Sequence, residues 1–295
     1  MQIVATDIAM PLATAVAREL GATELALLQT QLFSNGQIGV HSMPTQAHVV
    51  LFQAFADDVH LRIFELLLAL DFFRAAGSRV TAVLPYLPYA RSDRSQSPGG
   101  PVPARMVGSV IEHIGLSRLI TVELHMPQVG GFFRCPVTNV SFLPALIRHF
   151  NDGAKCGWTV VSPDLGGAKR AEELAVALGC PMAVIRKHRN HNVRQGIDVL
   201  GEVAGRSVML IDDEINSGQT LFSAAALLRS RGAGSINAVV AHALFTRDAV
   251  AGLSTSGFDR IIVSDSTSPR AIPEGVEVVS IAQDIASTLQ SVYAP

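Results

Sequence analysis

Apolar, β-rich runs alternate with longer Ala- and Leu-rich stretches along almost the whole chain, and this rhythm restricts the fold more than any single motif. Val49–Phe52, Val80–Leu84, Leu119–Val122, Thr159–Val161, Ala183–Ile185, Val208–Ile211, Ile236–Ala241 and Arg260–Val263 have the composition of strands. Leu61–Ala75, Ala104–Ile114, Phe142–Phe150, Lys169–Leu178, Leu221–Arg231 and Ile281–Leu289 have that of helices. Apolar strands separated by helices form parallel sheets covered on both faces. The expected fold class is therefore α/β, with ligands beyond the carboxyl ends of the strands.

Residues capable of chemistry fall at those ends. Pro88-Tyr89-Ala90-Arg91 follows one strand, Glu123-Leu124-His125 a second and Pro163-Asp164-Leu165-Gly166-Gly167 a third. Lys187-His188-Arg189 and Asp212-Asp213 follow two more. Five such coincidences point to a cleft. Both halves share the arrangement, so two similar α/β domains are expected, residues 1–143 and 144–295. Ser92–Pro103, rich in Ser, Gly and Pro, and the basic stretch Arg186–Gly196 read as loops.

The segment Val208 to Thr220 is the most informative of these units. An apolar run ends in two carboxylates, then a small-residue loop, Asn216-Ser217-Gly218-Gln219-Thr220, leads into an apolar helix. Such a loop offers backbone N–H groups and hydroxyls to a phosphate at a helix N-terminus. Asp212 and Asp213 can accept hydrogen bonds from vicinal hydroxyls, hold a metal ion, or only cap the helix. Asp164 before Gly166-Gly167 fits a ribose or metal contact and equally a simple helix cap. His125 is open to metal ligation or an ordinary structural hydrogen bond. The cations of Arg186-Lys187-His188-Arg189 suit a polyphosphate transition state, although such runs are commonly a solvated face. Phe33-Ser34-Asn35-Gly36-Gln37 combines an aromatic with amides on a turn, and Arg91 can clamp a phosphate or lie on the surface.

Composition excludes several classes. The formal net charge of −2 argues against a nucleic-acid-binding surface. The three cysteines are widely spaced, which fits buried thiols in a reducing compartment and neither a disulfide framework nor a zinc site. No basic region precedes the first apolar stretch, so no secretory signal is expected. The most apolar helical segment, Leu61–Phe73, is short for a bilayer and is interrupted by Arg62, Glu65 and Asp71. A cytoplasmic protein that does not bind membranes is expected.

Taken together, the segments resemble the ribose-phosphate diphosphokinase family, which makes phosphoribosyl pyrophosphate. The resemblance runs from Phe33 to about Ser264. It rests on Arg79-Val80-Thr81-Ala82-Val83 leading to Pro88-Tyr89-Ala90-Arg91-Ser92-Asp93, on Leu124-His125 with Gln128 and Gly131-Phe132-Phe133, on Val161-Ser162-Pro163-Asp164 with Gly166-Gly167-Ala168-Lys169-Arg170, and on the Asp212-Asp213 segment. It implies two phosphoribosyltransferase-like domains, the first on the nucleotide side and the second holding the sugar phosphate. It implies Mg2+-dependent transfer of a diphosphoryl group from ATP to ribose 5-phosphate, with AMP leaving. In that reading Asn216, Ser217, Gly218, Gln219 and Thr220 cradle the 5-phosphate, and Asp212 and Asp213 hold the ribose hydroxyls. His125 and Asp164 organise Mg2+. Lys187 and Arg189 are the catalytic cations. Arg91, Ser92 and Asp93 lie on the ATP side, and Phe33, Asn35 and Gln37 help form an adenine pocket that a neighbouring subunit completes. That shared pocket implies a homo-oligomer, at least a dimer, and members of the family often form hexamers.

The chain departs from the family pattern in places. Gln37 stands for a glutamate, Ser92 for a glutamine, Asn216 for an aspartate and Glu123 for an aspartate. Ser217-Gly218-Gln219-Thr220 leans toward the general phosphoribosyltransferase loop, and Ser95–Gly100 lacks the usual cations. The rival readings are an ordinary phosphoribosyltransferase, a diphosphokinase for another sugar phosphate or donor, and a non-catalytic regulatory homologue. The first does not explain the Tyr-Ala-Arg and His125 segments. The last does not explain the retained Lys187 and Arg189.

Overall fold

Strands such as Val49–Phe52 have no polar face to turn to solvent, so they settle only where both faces are covered. The computed structural model describes residues 1–22, 24–41, 45–56, 58–150, 157–187, 197–253, 256–267 and 272–294. In chain order its first part is β1 (Gln2–Ala5), α1 (Met10–Glu19), β2 (Leu25–Leu27), β3 (Thr30–Leu32), β4 (Ile38–Val40), β5 (His48–Phe52), α2 (Val59–Ala75), β6 (Arg79–Val83), α3 (Pro103–Ile114), β7 (Leu116–Val122) and β8 (Val137–Val140). Then come α4 (Leu143–Phe150), β9 (Trp158–Ser162), α5 (Ala168–Leu178), β10 (Met182–Lys187), β11 (Ile197–Leu200) and β12 (Ser207–Ile215). The chain continues with α6 (Gln219–Ser230), β13 (Ile236–Ala243), α7 (Arg247–Leu253), β14 (Arg260–Ser264), β15 (Val276–Val279) and α8 (Ala282–Tyr293).

Two compact units result. The first contains Met1–Ser141 and Ser280–Pro295, with a short piece at Ser266–Arg270; the second contains Phe142–Asp265 and Ala271–Val279. A division into 1–143 and 144–295 assigns the last helix to the second half. The contacts of α8 are instead with α1 and β8 of the first unit, and Tyr293 Oη is 2.8 Å from Thr81 Oγ1. Amphipathic α8 needs an apolar partner for Ala282, Ile285, Ala286 and Leu289.

The first sheet has the order β2-β1-β5-β6-β7-β8, all parallel. The second has the order β11-β10-β9-β12-β13-β14-β15, parallel except for the β10–β11 pair. The α/β expectation, mostly parallel sheets with helices packed on them, is what the chain adopts. β3 and β4 form a separate antiparallel hairpin.

The core of the first unit gathers Leu66, Leu70 and Phe73 of α2 around Val49, Leu51, Val80 and Ala82 of the sheet. Burying each such large side chain contributes about 1.5–3 kcal/mol. α2 starts where Asp58, in the left-handed region at φ 43°, accepts the Leu61 N–H at 3.4 Å. In the second unit Val208 and Leu210 meet Leu221, Ala225 and Leu228 of α6 and Val240 of β13. No helix among the described residues is long and apolar enough to cross a membrane.

Candidate active site

In the second sheet the chain leaves β9 for β10 on one side and returns to β12 on the other. Strand order reverses there, so the carboxyl ends of β9 and β12 border a crevice. The loop after β9 carries Asp164, and β12 leads to Asn216–Thr220.

β12 is longer than the apolar run that announces it. Its pairing with β13 continues through Asp212↔Val240, Glu214↔His242 and Ile215↔Ala243. The acidic residues expected at a corner therefore sit inside the strand, because β13 is buried along its whole length and keeps offering backbone partners. Asp213 is 3% exposed, and Glu214, which sequence reading left unassigned, is 6% exposed. Asp212 keeps part of its surface open.

Burial pushes the Asp212 carboxyl up to about 8; a hydrogen bond and like charge from Asp213 add to this, while the Asp213 backbone N–H and the Arg170 charge oppose it. The backbone bond is the Asp213 N–H donating to Asp212 Oδ1 at 2.9 Å. Arg170, at the start of α5, is thus close enough for its charge to act on Asp212. Only its place in the Gly166-Gly167-Ala168-Lys169-Arg170 run hinted at that. The pH consequence has a definite sign. Between the ordinary carboxylate range and about 8 the folded chain keeps a proton that the unfolded chain releases. This contribution to stability is complete below the unfolded value and is lost as pH rises to the folded one. Thermal unfolding from about pH 5 to 9 should show a falling midpoint that Asp212→Asn flattens. Equal slopes for both proteins would refute the assignment.

Gly218 caps α6 from the left-handed region at φ 77°. Asn216, Ser217, Gln219 and Thr220 around it are exposed, and Gly218 is buried. The loop entrance is pinned from the segment after β13: the Leu244 N–H donates to the Ile215 carbonyl at 2.9 Å, and the Thr246 hydroxyl to the Asn216 carbonyl at 3.1 Å. At the helix start Gln219 Nε2 donates to Ser223 Oγ at 3.3 Å.

Asp164 is exposed, and its Oδ1 accepts the Gly167 N–H at 3.0 Å. The capping role is thus present, and the carboxylate still faces solvent. Ser162 Oγ donates to the Asp164 carbonyl at 2.7 Å. A Cβ on Gly167 would stand 2.8 Å from that hydroxyl, which would have to turn away. Lys187 is the last residue of β10, and Arg189 lies outside the described residues.

The remaining candidates belong to the first unit. Phe33, Asn35 and Gln37 form the tip of the β3–β4 hairpin. The Phe33 N–H donates to the Gln37 carbonyl at 2.7 Å, and Asn35 Nδ2 to Gln37 Oε1 at 3.1 Å. Phe33 is 44% exposed, with its ring beside Gly39. Arg91 is exposed just past Tyr89, whose φ is 65° and whose hydroxyl is 2.8 Å from His60 Nε2. Ser92 donates its N–H to the Tyr89 carbonyl at 2.8 Å. The Asp93 side chain is 7% exposed, with Oδ1 3.5 Å from Arg94 Nε. Half-buried His125 follows Glu123, which has φ 41° and accepts Ser141 Oγ at 3.0 Å. Gln128 and Gly131-Phe132 lie in a 3-10 helix, Pro127–Phe132. Proline at its start and closely spaced Gly130-Gly131 favour that tight winding. No three His, Cys, Asp or Glu side chains converge as a metal site among the described residues.

The pattern of the N-terminal domain of ribose phosphate pyrophosphokinase matches residues 1–115. That of the phosphoribosyl synthetase-associated domain matches residues 180–294. A ribose-phosphate pyrophosphokinase of Aquifex aeolicus is 36% identical over 273 residues, 90% of this chain and 87% of the relative. One from Chromobacterium violaceum is 35% identical over 269 residues, 88% of this chain and 82% of the relative. The crystal structure of phosphoribosylpyrophosphate synthetase from Mycobacterium smegmatis superposes with a TM-score of 0.88 at 30% identity, covering 99% of this chain and 98% of that one.

Proposed function

This chain belongs to the ribose-phosphate pyrophosphokinase family, and from that premise we propose that it transfers the β,γ-diphosphoryl group of ATP to the anomeric hydroxyl of ribose 5-phosphate. One observation carries the assignment of the sugar site: the crevice at the β9/β12 reversal combines an acid pair with a glycine-capped helix start. Backbone N–H groups and hydroxyls of Asn216 to Thr220 receive the 5-phosphate. Asp212 and Asp213 accept hydrogen bonds from the 2- and 3-hydroxyls. Those donors favour the ionised form that burial alone disfavours, so sugar binding lowers the Asp212 pKa.

The anomeric hydroxyl gives up its proton to solvent and its oxygen forms a bond to the β-phosphorus, as the bond from that phosphorus to the bridging oxygen of AMP breaks. Such transfer depends on positioning and on offsetting charge, and needs no covalent enzyme intermediate. Lys187 and Arg189 are assigned that charge, Arg91, Ser92 and Asp93 the ATP side, and Phe33, Asn35 and Gln37 the adenine. The exposed Asp164 carboxylate suits a hard cation, and Mg2+ commonly uses one or two carboxylates alongside phosphate and water oxygens; His125 completes the assigned pair. When bound, Mg2+ would neutralise phosphate charge. A cytoplasmic homo-oligomer is part of the same reading.

The deciding experiment follows AMP release from MgATP with and without ribose 5-phosphate. Release that needs the sugar is expected. Inorganic phosphate should change it little, because Ser95–Gly100 offers no cation to an anionic regulator. Sugar-independent release, or none with any divalent metal, would rule out the reaction. A strict phosphate requirement would overturn the regulatory expectation alone.

A further inference from the structure

The first sheet has its own reversal, with β2 and β5 on opposite sides of β1. The carboxyl ends of β1 and β5 are therefore the counterpart of the sugar crevice. Here the space is filled by a polar network. Gln53, fully buried just past β5, accepts the Thr6 hydroxyl through Oε1 at 2.7 Å and donates through Nε2 to Glu65 Oε2 at 2.8 Å. Arg62 Nη1 reaches the same Glu65 oxygen at 2.9 Å and Asp7 Oδ1 at 2.9 Å. Glu65 Oε1 accepts the Thr30 hydroxyl at 3.0 Å. Glu65 is 1% exposed, so its position depends on these three donors. Burial opposes the Arg62 charge, yet Glu65 and Asp7 raise the pKa of its guanidinium further.

Thr30 is the first residue of β3, and the β3–β4 hairpin pairs with neither large sheet. A two-stranded hairpin of this length does not hold its place alone. It is held from α2, by contacts with β4 and by the Glu65–Thr30 bond. We propose that Glu65 is a positioning residue for the nucleotide: its buried carboxylate ties the hairpin base to the plugged crevice of the first sheet and so fixes Phe33, Asn35 and Gln37 at the tip. The inference rests on the adenine-side reading of those three residues.

The test compares the full-length native protein with Glu65→Ala, Glu65→Gln, Thr30→Val and Phe33→Ala. Kinetics are read together with hydrogen–deuterium exchange of the 30–40 segment. Glu65→Ala should raise KM for ATP about tenfold, equivalent to about 1.4 kcal/mol, leave KM for ribose 5-phosphate unchanged, and speed hairpin exchange. Glu65→Gln keeps an acceptor for Thr30 and should recover most of the loss. Thr30→Val removes one bond from the hairpin side and should raise KM for ATP about threefold; it carries the test if Glu65→Ala does not fold. Native hairpin exchange in Thr30→Val, and in Glu65→Ala where it folds, overturns the anchor even if Phe33→Ala weakens ATP. Faster exchange with unchanged KM for ATP in every variant, Phe33→Ala included, keeps the anchor and overturns the nucleotide reading.

Discussion

Lys187→Ala is expected to lower turnover by about a thousandfold or more while changing KM for ribose 5-phosphate by less than about twofold. The backbone supports this. β9 and β10 pair as far as Ser162↔Val184. β10 then continues through Ile185 and Arg186 to Lys187, paired with β11 at Ile197. Three residues of strand extend about 10 Å, so β10 carries a cation well past the carboxyl end of the strand that precedes Asp164. A cation that meets negative charge only as the diphosphoryl group moves acts on kcat and not on sugar binding. A thousandfold loss corresponds to about 4 kcal/mol of transition-state stabilisation. Lys187→Arg keeps the charge and should fall between native and alanine. Kinetics of AMP release decide the matter. An alanine variant retaining a tenth of native turnover would remove Lys187 from the reaction.

Gly218→Ala is expected to cost about a hundredfold or more in kcat/KM for ribose 5-phosphate. Two effects combine. The left-handed backbone at φ 77° disfavours any side chain, by about 1–2 kcal/mol. The added Cβ would also overlap the Phe222 ring. That ring has little room to retreat, since a Cβ on Gly252 would crowd it from another direction and Phe258 lies 6.3 Å away between ring centres. The conflict therefore passes to the loop, which moves the N–H groups assigned to the phosphate. Gly218→Ala/Phe222→Ala removes the steric half of the problem and should recover part of the affinity, read by calorimetry with ribose 5-phosphate. Native affinity in the single variant would disprove the phosphate role of this loop.

Much of the second unit can be read from local sequence because its signals are local. The βα step at Val208–Leu228 joins an apolar run, a left-handed glycine and an apolar helix within one short stretch. The expected helix start at Leu221 falls two residues late, because Gln219 and Thr220 are polar first-turn residues with no apolar period to reveal them. The expected strand end at Ile211 falls short because carboxylates rarely continue a buried strand, and only β13 supplies the reason that these do. Short strands such as Leu25–Leu27 and Thr30–Leu32 are too brief to show a period. α1 is missing from the pattern because its small residues, Ala13, Ala15 and Ala17, give a weak apolar stripe. The Glu65 network is invisible in sequence for another reason. Its partners lie up to 55 residues apart, and Glu65 reads there only as a charge interrupting an apolar helix.

The return of α8 to the first unit has a consequence for how the chain is made. Synthesis runs from the N-terminus, so the ribosome releases the whole Phe142–Asp265 body before it releases the helix that packs on α1. The first unit waits, with α1 lacking the helix that packs on it, until Ala282–Tyr293 emerges. The second unit, begun later, has nearly all of its sheet available earlier. Order of translation and order of completion are therefore reversed for the two halves, and the nascent first unit is the one that leaves apolar surface open to chaperones in the interval.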